Sequence, residues 1–202
     1  MSKRFDHRTK DTFKKDIKFG TRMEAYWWEK LVSYADDSPF LTIDNWEDNG
    51  CGNDGEFIAS GNTAGADYLA DMHYRDRYCE ELPIEIKWVP TAGKFTLKEA
   101  DLKAYVAEGA SILFIYNSVR CGNDLRKPKD HDFEKHIKKI ESLMHNIKWG
   151  VMMPEKVKEF YENAKDNNLF TPIFYMGGKQ GIVLQQRDFD QWFKQESWNY
   201  DS

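Results

Sequence analysis

No stretch of this 202-residue chain approaches the roughly 20 apolar residues that cross a membrane as a helix. The opening MSKRFDHRTKDTFKKD carries no apolar core, so no secretory signal is expected. Cysteine is scarce: Cys51, Cys79 and Cys121 are odd in number, widely spaced and form no CxxC. That argues against a zinc ribbon or knuckle and fits a reducing cytoplasm. Five histidines (His7, His73, His131, His136, His145) make no pair at helical spacing. A GxSxG elbow is absent, which removes one hydrolase class. Gly177-Gly178-Lys179-Gln180-Gly181 has neither phosphate-loop spacing nor a Ser or Thr after its lysine. The turn-rich DNWEDNGCGNDG lacks the ligand spacing of a calcium-binding EF-hand loop. Nor is there an excess of positive charge, since the formal net charge is −5.

What is present is a globular composition, 41% hydrophobic with seven Trp and thirteen Phe, which argues against disorder. Length and composition fit a single domain over 1–202, with a core at about 9–118 and an extension over about 119–202. The positive charge is clustered. Lys3, Arg4, Arg8, Lys10, Lys14, Lys15, Lys18 and Arg22 crowd the first segment. Arg120, Arg126, Lys127, Lys129, Lys135, Lys138 and Lys139 form a second run. Such local patches can hold a phosphate backbone despite an acidic total, or serve as solvated faces.

Residues 9–36 read as helix, with Gly20 as a break; Phe19, Met23, Trp27, Leu31 and Tyr34 make its apolar stripe. Leu41–Ile43 and Glu56–Ala59 read as strands around a loop. The stretch from Gly65 to Pro90 reads as a hairpin centred near Arg77, which sets Asp67 opposite Lys87. Glu85 and Lys87 share one face of the second strand, and Ile84, Ile86 and Trp88 the other. Charges on one face of an apolar strand are costly to bury unpaired. Two carboxylates holding a divalent cation, with a lysine beside it, would account for them. Asp71 shares the face of Asp67 but lies about 13 Å along, too far for the same ion. Thr96 and Glu99 read as a capping box opening a helix to about Ala107. Ser111–Tyr116, SILFIY, reads as a buried strand. Beyond it, Phe133–His145 reads as helix, Trp149–Met152 as strand, and Pro154 to about Ala164 as helix. Pro172–Met176 and Ile182–Gln185 read as a hairpin, and Arg187–Gln195 as a last short helix.

Asp67 followed by Glu85-Ile86-Lys87 in an apolar strand resembles the active-site signature of the PD-(D/E)xK nucleases, the restriction-endonuclease-like superfamily. Ala66 stands where the name-giving proline would be. The expected helix–strands–hairpin–helix–strand order is similar to that superfamily's αβββαβ core. The resemblance implies an α/β fold, a central mixed sheet flanked by helices, with a C-terminal α/β extension. It implies Mg²⁺, with Mn²⁺ able to substitute, held by Asp67, Glu85 and the Ile86 carbonyl, and Lys87 acting on the attacking water. A glutamate on the first helix often reaches the ion or its water, and Gly20 followed by Glu24 is similar to that arrangement. The expectation is therefore a cytoplasmic, Mg²⁺-dependent DNA endonuclease with catalytic Glu24, Asp67, Glu85 and Lys87. Lys14, Lys15, Lys18, Arg22, Lys94 and Lys98 are candidate DNA contacts, no membrane is involved, and a homodimer is left open. The competing reading is a non-catalytic DNA-binding or protein-interaction module, its carboxylates in surface ion pairs.

Overall fold

The computed structural model describes residues 10–49, 65–90, 94–119, 125–173 and 178–198. The expected strand Glu56–Ala59 lies outside these residues, as does Arg120. In chain order the elements are α1 (Lys10–Asp37), β1 (Leu41–Asp48), β2 (Tyr68–Tyr74), β3 (Arg77–Val89), β4 (Lys94–Lys98), α2 (Glu99–Glu108) and β5 (Ser111–Asn117). There follow α3 (Phe133–Glu141), β6 (Ile147–Met152), α4 (Pro154–Asp166), β7 (Thr171–Ile173), β8 (Lys179–Gln185), α5 (Phe189–Trp192) and β9 (Glu196–Ser197).

The fold is α/β. Its central sheet is mixed and six-stranded, in the order β1-β2-β3-β5-β6-β9. Among the described strands only β3 and β5 run parallel, joined through β4 and α2, because a parallel pair needs a long crossover. A second sheet, β4-β8-β7, is antiparallel throughout. β5 is buried at all seven positions, as expected of a strand covered on both faces.

The alternation of β3 decides the layers. Ile84 and Ile86 enter one apolar core with α1 residues Met23, Trp27 and Leu31 and with Ile137 and Ile140 of α3. On the opposite face Ile112, Phe114 and Tyr116 of β5 meet Leu102 and Tyr105 of α2, Val157 and Phe160 of α4, and Phe95 and Leu184 of the second sheet. Among the described residues no helix is long and apolar enough to cross a membrane.

Several local expectations are corrected. α1 runs unbroken through Gly20, its apolar stripe packed on the sheet on either side of that residue. β1 continues through Asp44–Asp48, where turn composition suggested a loop, because β2 pairs with it again at Glu47 and Asp48 beyond an irregularity at Asn45–Trp46. Thr96 lies within β4 rather than at a helix cap, paired with Val183; Lys98 occupies the cap position of α2 and makes no side-chain cap bond. α3 ends at Glu141, followed by a 3₁₀ turn over Met144–Asn146.

The β2–β3 hairpin turns at Arg75–Asp76, not around Arg77. A ladder counted without interruption from Tyr74↔Arg77 would set Asp67 against Ile84. A bulge between Ala70 and Met72 adds one residue on β3, giving Tyr68↔Ile84, and so brings Asp67 level with Glu85. Asp71 organises this irregularity. Its carboxylate accepts from the Glu81 amide at 2.9 Å and from Asn45 Nδ2 at 2.7 Å. Glu81 and Asn45 both have positive φ, 47° and 46°, one on each neighbouring strand. These two donors, Asn45 first, hold the Asp71 carboxyl below its ordinary range.

Candidate active site

Each member of the candidate centre is placed by a different local cause. Asp67 immediately precedes β2, where Asn49 fixes the backbone: its amide donates to the Asp67 carbonyl at 3.0 Å and its Nδ2 to the Ala66 carbonyl at 3.2 Å. The Asp67 side chain then reaches β3, accepting from the Ile86 amide at 2.7 Å. Glu85 is only 7% exposed and pairs with Lys87, whose side chain is 29% exposed. The Lys87 ammonium also sits 5.6 Å from the ring centroid of Tyr105 on α2. Glu24 comes from the middle of α1 and is half-buried.

The four expected catalytic residues share one electrostatic environment. Burial pushes the Asp67 carboxyl up to about 8, and the nearby Glu85 and Glu24 charges push the same way. The Ile86 amide and Lys87 oppose that rise. Glu24 is also raised, first by burial, with Lys87 pulling down and Glu85 pushing up. Burial works against the charge on Lys87, but Glu85 and Tyr105 outweigh it, so Lys87 stays a firm cation. Three acids crowd around one lysine, and the Asp67 carboxyl relieves the repulsion by keeping its proton. Even so, among the described residues no group of three or more His, Cys, Asp or Glu side chains closes tightly enough to hold a metal ion.

A cleft of about 280 Å³ opens beside this centre, with Glu24, Ile86 and Lys87 in its wall. Asp16, Lys127 and His136 also line it; of these the sequence singled out only Lys127, as one member of the second basic run. Asp16 pairs with Lys127 and with His131 Nε2, the latter at 2.7 Å. Tyr105 was equally invisible in sequence, because its place beside Lys87 follows from how α2 packs on the sheet.

The candidate DNA contacts are less convergent. Lys14, Lys15 and Lys18 lie on the N-terminal half of α1, with Lys15 and Lys18 exposed. Arg22 ties α1 to α3, bonding Glu134 at 2.9 Å and lying 3.8 Å from the ring centroid of Phe133. Lys94 is exposed at the start of β4. Lys98 bonds Asp101 at 2.8 Å and lines a different cleft, about 370 Å³, together with Lys103 and Lys179.

Fold and site together define an α/β protein with an acidic, lysine-bearing centre at its central sheet. No protein-family model matches the chain, and no curated protein matches it.

Proposed function

We propose that this protein is a divalent-metal-dependent nuclease that hydrolyses DNA phosphodiester bonds, acting as an endonuclease of the restriction-endonuclease-like class. The observation that carries the reading is the meeting of Glu24, Asp67, Glu85 and Lys87, from three separate elements, with the Asp67 carboxyl raised to about 8. A surface ion pair would not need Glu85 to be buried, and perturbed groups of this kind cluster at functional sites. The run of α1, antiparallel β1 to β3, a crossover through α2 and parallel β5 supports the class.

The residues suit Mg²⁺ or Mn²⁺. The donors are all oxygens, as hard cations prefer. A cation would take the place of the proton that burial and like-charge crowding hold on Asp67. Asp67 and Glu85 would hold it. The N–H and C=O of an extended residue leave the strand on the same side, so the Ile86 carbonyl faces the gap that its amide shares with Asp67. A divalent cation held there would supply Lewis-acid chemistry, lowering the pKa of a bound water and polarising a phosphoryl oxygen.

The chain's own groups supply the rest. Lys87, held as a cation between Glu85 and Tyr105, orients the attacking water and offsets charge developing on the phosphorus. Since its proton is held tightly, it acts as an electrostatic donor rather than as the base. The water oxygen bonds to phosphorus as one phosphorus–sugar oxygen bond breaks; the proton the water sheds passes to solvent, and the departing sugar oxygen takes one up from solvent, so the products are a phosphate monoester and a free hydroxyl. Glu24, set back on α1, would act toward the ion through water. Lys14, Lys15, Lys18, Arg22, Lys94 and Lys98 are proposed to contact the DNA backbone.

The direct check is calorimetric titration with Mn²⁺. Saturable binding lost in Asp67→Ala is expected. An absence of saturable binding would favour a non-catalytic module with an internal ion pair.

A further inference from the structure

We infer that the cleft beside Lys87 is a subsite for one unpaired nucleotide, its base stacked against aromatic side chains. This rests on the nuclease reading and names the substrate class it implies: DNA that is single-stranded, frayed or branched at the cut, not continuous duplex. The cleft measures about 280 Å³, just below the ~300–1,000 Å³ typical of small-ligand pockets. That suits a single nucleotide and is far too small for a duplex.

Its walls have the chemistry of base recognition. Phe19, Trp88 and His136 line it. Trp88 is braced by Trp27 at 4.8 Å between ring centroids, and Phe19 stands 5.3 Å from His136. Aromatic platforms of this kind bind bases with little regard to sequence, because every base presents a π face. His136 is only 4% exposed, and its Nε2 has no hydrogen-bond partner among the described residues. A buried polar atom without a partner is destabilising, and a turn of this ring toward the cleft would let the edge of a base supply the missing bond. Burial, helped by Lys139, holds this imidazole below its ordinary range, so it offers a neutral ring.

Gly20 is the second, independent pointer. It lies inside α1, where glycine weakens a helix relative to alanine. No packing requires it, since a Cβ built there meets nothing within 4 Å. A side chain at this position would occupy the cleft instead. Glu24, one turn on, and Lys87 place the reacting centre in the same wall, where the phosphate of a bound nucleotide would lie.

Gly20→Met tests this without loosening the fold, because methionine favours helix and the cleft has room for it. Wild-type and variant protein are compared by thermal melting, and by anisotropy with a labelled single-stranded oligodeoxynucleotide and its duplex in Ca²⁺. Gly20→Met should keep or raise the melting temperature while weakening single-strand binding by about tenfold or more. His136→Phe keeps the ring and removes the nitrogen; it should weaken binding severalfold and serves as the second probe should Gly20→Met misfold. The inference is overturned if folded variants bind the single strand as wild type does, if duplex binds as well as single strand, or if wild type binds no oligonucleotide. Failure of the nuclease reading alone would look different: the cleft variants would still alter binding, while wild type cut nothing in Mg²⁺.

Discussion

Asp67→Asn separates the electrostatics of the centre from its shape. The amide is nearly isosteric with the carboxyl, and its oxygen can still accept from the Ile86 amide, which Asp67 Oδ2 engages at 2.7 Å. What the substitution removes is a buried charge. In the metal-free protein the Asp67 pKa is about 8, against about 3.9 in an unfolded chain. Between these values the folded state holds a proton that the unfolded state has released. Stability therefore falls as pH rises through this window, by at most about 1.4 kcal/mol per pH unit from this group, and levels off above pH 8. Glu24, raised in the same direction, adds to the slope. Urea denaturation in chelator from pH 5 to 9 should show wild type losing stability steadily, and Asp67→Asn following a distinctly flatter course. At pH 9 the variant should be the more stable of the two. Parallel profiles for the two proteins would refute the placement of Asp67 in a buried, like-charged cluster.

Two further outcomes follow from the same geometry. Lys87→Ala should lose about 10²–10³ in single-turnover cleavage, since its contacts strengthen in the transition state, yet retain DNA and metal binding; an unchanged rate would remove Lys87 from the mechanism. Asp71→Ala, far from the reacting atoms, should still lower cleavage severalfold, because Asp71 holds the bulge that sets Asp67 against Glu85. A wild-type rate in that variant would show that the register stands without it.

The strand periodicity was readable because it depends only on neighbours in sequence. Ile84 and Ile86 meet α1 in the core, and Glu85 lies with Lys87 on the other face. The stripe from Phe19 to Leu31 was readable for the same reason. Register was not, because it is set by where the hairpin turns and by one extra residue near Glu81, held by an aspartate on the neighbouring strand. A slip of one residue would turn a strand's side chains to the opposite face, so that unseen bulge matters to the site. Thr96 looked like a cap, but pairing with Val183, distant in sequence, drew it into a strand. Gly20 looked like a break, yet tertiary packing carried the helix across it. Tyr105 and His136 gave no local signal, and Lys127 only that of a basic run, because their places at the site exist only once α2, α3 and the segment before α3 are docked.

The most direct measurement is cleavage of a panel of single-stranded, branched and duplex DNA by purified protein, with Mg²⁺ or with excess chelator. The account predicts Mg²⁺-dependent internal cutting, supported also by Mn²⁺ and abolished by chelator and by Asp67→Ala. Cutting undiminished in chelator, or no cutting of any substrate with Mg²⁺ or Mn²⁺, would contradict it.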